Sequence, residues 1–226
     1  EVTGLGLVYF AREMLATKGK SFKVATVSLS GSGNVAQFAC EKVLDLGGIP
    51  LTMSDSSGFI HDSEGIDREK LAWIMDLKNN RRGRISEYTS KFTSATFTAS
   101  APEPSSNGLW GVNVDVALPC ATQNEVNGAE AQMLIDNKVI AVAEGANMPC
   151  TPEAVEVFQK SGVMFAPGKA SNAGGVATSG LEMSQNSLRY GWTREEVDAK
   201  LDNIMVNIHK NAAETAEKYG RPGDYV

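Results

Sequence analysis

Gly31-Ser32-Gly33-Asn34-Val35-Ala36 carries the clearest chemistry in this 226-residue chain. It follows an apolar, β-branched run (residues 24–30) and opens a helix-like stretch (residues 34–46). A G-x-G-x-x-A pattern between a strand and a helix is the arrangement that cradles a dinucleotide. Gly31 allows the tight turn, Gly33 leaves the backbone bare for a pyrophosphate, and Ala36 keeps the helix close to the sheet. The pyrophosphate would rest on the free N–H groups of the helix start, where the dipole also favours negative charge. A tight strand-to-helix turn with no ligand is the plainer alternative.

Asp55 ends a second strand-like run and follows Gly31 at about the 20-residue interval where an acid takes the ribose hydroxyls of NAD. Ser56 and Ser57 come next, and then a basic group, Lys78, Arg81, Arg82 and Arg84. Hydroxyl and cationic donors at this place suit a 2′-phosphate. A solvated, basic helix end would give the same pattern, and both readings stay open on chemistry alone.

Three further segments fall where strands should end: Pro119 to Asn124, Glu144 to Pro149, and Ala166 to Lys169. Ligands of open α/β sheets bind at the carboxyl ends of strands, so Thr122 and Asn147 are candidates to hold a ribose or a carboxamide. Ordinary turn chemistry also uses these residue types. Asn172-Ala173-Gly174-Gly175-Val176 enters an apolar helix, and its paired glycines permit close approach to another helix or to a small ligand.

The elements that must position these residues are legible as an alternation. Apolar runs at 24–30, 48–54, 114–118, 139–143 and 163–166 read as strands buried on both faces. Helical periodicity lies at 4–18, 34–46, 67–78 and 152–160 and in two longer stretches near the end. The expected fold is α/β: a Rossmann-like, doubly wound, mostly parallel sheet with helices on both faces, plus long C-terminal helices. Thr151-Pro152-Glu153 and Thr193-Arg194-Glu195-Glu196 are helix starts, the second a capping box. Val197, Leu201, Ile204, Met205 and Ile208 form the core-facing stripe of that last helix. Residues 99–111 read as an exposed loop. The expected division is a leading helix (1–18), a dinucleotide-binding unit (19–190) and a C-terminal helix packed on it (191–226).

Composition narrows the function. With 42% hydrophobic residues the chain can bury a sizeable core, and a net charge of −6 argues against a general nucleic-acid binder. No apolar run approaches the roughly 18 residues of a membrane span. Cys40, Cys120 and Cys150 are scattered, which fits neither a disulfide framework nor a zinc site and points to a reduced, cytoplasmic setting. His61 and His209 stand alone, so no metal site and no Ser-His-Asp triad is expected. The chain starts at Glu1 without Met and ends in loop-like residues, and it reads as a piece of a longer protein.

Taken together, Thr3-Gly4-Leu5-Gly6, the 30–36 glycine loop, Asp55-Ser56-Ser57-Gly58, Leu118 to Glu125, Ala143 to Pro149 and Ala166 to Met183 resemble hexameric glutamate dehydrogenase in its NADP-dependent, biosynthetic type. The resemblance is collinear over essentially the whole chain, but it leaves out the family's N-terminal substrate and assembly domain and a C-terminal continuation. It implies oxidative deamination of L-glutamate to 2-oxoglutarate and ammonia, or the reverse, by hydride transfer with NADP(H), in a homohexamer. Position by position, it implies that Thr3 and Asn34 hold the nicotinamide carboxamide and that Gly31, Ser32, Gly33 and Val35 cradle the pyrophosphate. Asp55, Ser56, Lys78 and Arg84 would surround the adenosine ribose phosphate, which favours NADP over NAD. Thr122 and Asn147 would lie along the cofactor, and Val176 and Ser179 would touch the glutamate side chain. The family's catalytic lysine and aspartate belong to the domain left out, so no catalytic residue is expected here; Lys169 is a helix-entry lysine. A related leucine, valine or phenylalanine dehydrogenase and a non-catalytic dinucleotide-binding module are the rival readings.

Overall fold

The computed structural model describes residues 1–101 and 108–226. Helix α1 (Val2–Thr17) leads into β1 (Thr26–Leu29), α2 (Asn34–Asp45) and β2 (Ile49–Asp55). The chain then reverses through the two residues Ser56 and Ser57 into β3 (Gly58–Asp62), with Asp55 paired to Gly58 across the turn. Next come α3 (Arg68–Asn79), a 3-10 turn (Ile85–Glu87), the one-turn helix α4 (Tyr88–Lys91) and β4 (Ala95–Ala99). The second half repeats strand and helix: β5 (Val116–Leu118), α5 (Gly128–Asp136), β6 (Ala141–Ala143), α6 (Pro152–Ser161), β7 (Met164–Ala166) and the short α7 (Gly168–Ser171). Two long helices close the chain, α8 (Gly174–Leu188) and α9 (Arg194–Lys218).

Among the described residues the sheet has seven strands in the order β4-β3-β2-β1-β5-β6-β7. β1 pairs in parallel with both β2 and β5, and β6 and β7 extend the parallel side. The expected mostly parallel sheet is therefore present. Its other edge is an antiparallel addition, β2 to β3 to β4, which the sequence reading does not contain. A buried triad fastens that edge: Lys70 Nζ reaches Asp62 at 2.8 Å and the Tyr88 hydroxyl donates to Asp62 at 2.7 Å.

Alternate residues of one strand point to opposite faces, and the core divides accordingly. Val116, Leu118, Ala141, Ala143, Met164 and Ala166 pack with α1, α2, α3 and α9. Ala117, Val142 and Phe165 pack with α5 and α6 on the opposite face. Both faces of the parallel half are thus covered by helices, which is why its strands read as unbroken apolar runs.

Three local readings need adjustment. β1 begins at Thr26, because Val24 takes a left-handed backbone (φ 58) and lies exposed. The expected loop at 99–111 is only partly exposed: residues 102–107 lie outside the described residues, but Leu109 and Trp110 are buried in the second core. On α9, Leu201 and Met205 are fully buried as expected, and the line continues through His209 and Ala216; Val197, Ile204 and Ile208 are only partly covered.

Candidate dinucleotide crevice

β1 is the strand from which the chain departs in both directions, first toward β2 and later toward β5. In open α/β sheets this switch point leaves a crevice beyond the carboxyl ends of the strands. Two adjoining cavities occupy it here, of about 690 Å³ and about 590 Å³, and both are lined by Cys120, Ala121, Thr122 and Gln123.

The glycine loop forms the floor where β1 gives way to α2. Gly31 adopts φ +78, and a Cβ on it would lie 2.9 Å from the Cys120 carbonyl oxygen, so a side chain is excluded on two grounds. The loop is latched to β2, with the Gly31 N–H donating to Ser54 Oγ (2.7 Å) and the Ser54 N–H to the Gly31 carbonyl (3.0 Å). Gln37 Nε2 donates back to the Ser32 carbonyl at 2.8 Å. Gly33 is the N-cap of α2 and no side chain caps that helix. The first bond of the helix runs from the Gln37 N–H to the Gly33 carbonyl, so the amides of Asn34, Val35 and Ala36 have no carbonyl behind them in the helix. A Cβ built on Gly33 meets nothing within 4 Å. The helix end therefore faces open space with its partial positive charge uncovered, which is what an anion site requires.

At the β2 end, the Asp55 carboxylate accepts from the Ser57 N–H (2.8 Å), the Ser57 hydroxyl (2.5 Å), Lys78 Nζ (2.8 Å) and the Ile85 N–H (2.8 Å). Burial alone would raise its pKa, but Lys78, Ser57 and Ile85 together outweigh burial and hold it at about 2. Asp55 and Lys78 line the larger cavity but are already joined to each other, and Lys78 also donates to the Gly83 carbonyl at 2.9 Å. The pair ties the β2–β3 turn to the end of α3. That turn presents Ser56 at the rim, where exposed Arg84 donates to its hydroxyl at 2.7 Å.

The smaller cavity gathers Thr3, Val35, Asn147, Val176 and Ser179, with Thr122 on the shared wall. Asn147 Oδ1 accepts from Asn172 Nδ2 at 2.9 Å, and the same amide nitrogen reaches the carbonyls of Gly145 and Ala146. Val176 is 80% exposed. The paired glycines at 174 and 175 serve packing: a Cβ on Gly174 would sit 2.6 Å from the Val2 carbonyl, and one on Gly175 2.7 Å from Thr3 Oγ1. Of the sequence-predicted residues, Asn34 stands at the first turn of α2 and lines neither cavity; the others do. Lys169 is exposed on α7, outside both.

Residues without an assigned role also line the crevice. Trp110, only 2% exposed, walls the larger cavity and donates its indole N–H to the Glu125 carbonyl at 3.3 Å. Burial pushes the Cys120 thiol well above its usual pKa, so it stays protonated and is not a nucleophile. Among the described residues no group of three or more His, Cys, Asp and Glu could hold a metal ion, and no helix is long and apolar enough to cross a membrane.

A strand–glycine turn–helix unit at the switch point of a doubly wound sheet defines a dinucleotide-binding class of domain. The model of the Glutamate/Leucine/Phenylalanine/Valine dehydrogenase family matches residues 1–226, and the chain belongs to that family. It is 56% identical to an NAD(P)-specific glutamate dehydrogenase of Xylanibacter ruminicola and 52% identical to the NADP-specific glutamate dehydrogenase of Escherichia coli K12, in each case over 100% of this chain and 49% of the relative. The crystal structure of Plasmodium falciparum glutamate dehydrogenase superposes with a TM-score of 0.93 at 43% identity, over 99% of this chain and 47% of that one. The chain spans about half the length of the curated relatives it matches.

Proposed function

We propose that this chain is the coenzyme-binding part of a glutamate dehydrogenase and that its crevice takes NADP(H) in preference to NAD(H). The observation that carries the reading is the uncapped start of α2, opening beside Gly33 into a cavity at the switch point of the sheet. Gly31, Ser32, Gly33 and Val35 would hold the pyrophosphate. Ser56 and Arg84 would take the 2′-phosphate, with the Asp55–Lys78 pair fixing the turn that presents them. Thr3, Asn34, Thr122 and Asn147 would align the nicotinamide half, and Val176 and Ser179 would face the amino-acid substrate.

When bound, the nucleotide supplies the redox chemistry of converting L-glutamate to 2-oxoglutarate and ammonia, or the reverse. This chain's residues bind it, orient it and form one wall against water. The relatives are named as specific for NADP, for NAD(P) or for NAD, and Ser56 with Arg84 supports the phosphate-bearing form. In the full-length protein we place this part, with residues 19–190 as the nucleotide-binding unit between a leading helix (1–18) and a C-terminal helix (191–226), in a cytoplasmic homohexamer.

Titration of the purified chain with NADPH and NADH, followed by intrinsic fluorescence and thermal melting, tests the reading. Ligand at one hundred times its Kd should add about 2.7 kcal/mol of stability. NADPH should act at the lower concentration. A melting point untouched by either nucleotide would reject the proposal.

A further inference from the structure

Glu125 is an ionisable group of the crevice that the proposed function leaves without a task. Its Oε1 accepts the N–H groups of Ala121 (2.9 Å) and Thr122 (3.3 Å), two of the residues that form the wall between the cavities. The Ser30 hydroxyl, whose oxygen receives the Cys120 N–H at 2.8 Å, favours the charged form of Glu125. Glu125 is half-buried and lines the larger cavity.

The charged and titratable groups around it offer no compensation. Glu130, from α5, adds negative charge and is tied into its own helix start through the Asn127 N–H at 2.9 Å. Cys120 and Cys150 are protonated thiols, held so by burial. On the far wall Lys78 is joined to Asp55 and Arg84 to Ser56. Among the described residues no cation is paired with Glu125. Burial therefore dominates and pushes its pKa up to about 7, although Ser30, Ala121 and Thr122 favour the charged form.

A nucleotide seated on the α2 amides would bring fixed negative charge into the same cavity and exclude water from it. Both effects disfavour a carboxylate. We propose that entry of a phosphate-bearing nucleotide into the crevice raises the protonated fraction of Glu125, the proton coming from solution, so that nucleotide affinity rises as the pH falls through neutrality. The neutral acid can still accept the Ala121 and Thr122 amides on its carbonyl oxygen, so the wall keeps its shape while the charge is removed. This inference rests on the nucleotide-binding reading above.

Calorimetric titration with NADPH at pH 7.5, in buffers of differing ionisation enthalpy, measures the proton count directly. A tenfold coupling, equal to one pKa unit, predicts uptake of ~0.5 proton in the wild type beyond that of Glu125→Gln, whose amide keeps the acceptor but cannot titrate. The 2′-phosphate of NADPH contributes equally to both proteins. NADH, whose pyrophosphate does not ionise in this range, should bind the wild type about sevenfold more tightly at pH 6 than at pH 8.5; this second arm decides the matter if Glu125→Gln does not fold. Equal proton counts in the two proteins, or a flat NADH profile, would overturn the coupling while leaving nucleotide binding intact. No heat with either nucleotide would overturn the binding reading and this one with it.

Discussion

Around the β2–β3 turn the charges that line the crevice are met by partners from the same chain: Asp55 collects four donors, Lys78 bridges Asp55 and the Gly83 carbonyl, and Arg84 reaches Ser56. Around Asn147 and Val176 the lining is amide, hydroxyl and small apolar surface, held by one side-chain amide, Asn172, and largely open to solvent. The difference follows from desolvation. A half-buried charge must be partnered before any ligand arrives, because an unpaired one costs several kcal/mol. A neutral wall carries no such requirement and can stay loosely tied. The first region should therefore be bound up with the stability of the fold, and the second should matter for ligands alone.

Removing the centre of the wired region is the most severe way to break that contrast. Asp55→Ala should lower the unfolding free energy by about 3–5 kcal/mol, since it strands Lys78 and two backbone N–H groups in a partly buried place. Urea unfolding measures it, and a loss below about 0.5 kcal/mol would show that the network is ornamental. The pH dependence adds a signed test. The folded-state pKa of about 2 lies below the ordinary aspartate value of about 3.9. Its stabilisation is thus complete above about pH 4 and disappears as the pH falls toward 2. Asp55→Asn should remove this component of the acid-induced loss.

The two regions also differ in how far the sequence reveals them. The turn from β1 into α2 depends on neighbouring residues, so Gly31, Gly33 and Ala36 announce it in place, and the caps at Thr151 and Thr193 accept the Ala154 and Glu196 amides as expected. The antiparallel strands β3 and β4 escape, because Asp55-Ser56-Ser57-Gly58, which joins β2 to β3, is equally a turn and a plausible ligand loop. Helix α5 was findable: Asn127 and Glu130 form a capping box that goes unread. What no local pattern could disclose are the pairings made at a distance. The Asp55–Lys78 bridge, the latch of Cys120 onto Ser30, and the burial of Trp110 against Glu125 all depend on strands and loops that meet only after folding.

Within the wired region, Arg84 is the exception that sharpens the comparison. It is exposed, and its bond to Ser56 should add little to stability. Arg84→Glu should leave the melting point nearly unchanged. It should weaken NADPH about tenfold, the scale of one lost charge-assisted bond, and affect NADH far less. An unchanged NADPH-to-NADH ratio would remove Arg84 from the proposed phosphate site.

Asn172 is the corresponding probe of the neutral region. Asn172→Ala frees exposed Asn147 and removes two long bonds to the Gly145 and Ala146 carbonyls, so the cost should be about 1 kcal/mol in thermal unfolding. The NADPH affinity should drop by less than in Arg84→Glu. A loss of stability near that of Asp55→Ala would mean that this half is wired after all.

The smallest effect is expected at Val176 and Ser179, and it is the most discriminating because it separates scaffold from contact. Val176 is 80% exposed, and the Ser179 hydroxyl makes a weak 3.3 Å bond to the Gly175 carbonyl one turn back on its own helix. Neither holds the fold, so Val176→Ala and Ser179→Ala should each change stability by less than about 0.5 kcal/mol. NADPH affinity should be indistinguishable from wild type, because the proposed phosphate contacts, Ser56 and Arg84, line the other cavity. In a full-length enzyme the same substitutions should raise the KM for glutamate by a few fold, a methyl-scale contact of about 1 kcal/mol, with KM for NADPH unmoved. A parallel rise in both constants would show that the two cavities act as one, and the contrast between a wired end and an open end would fail.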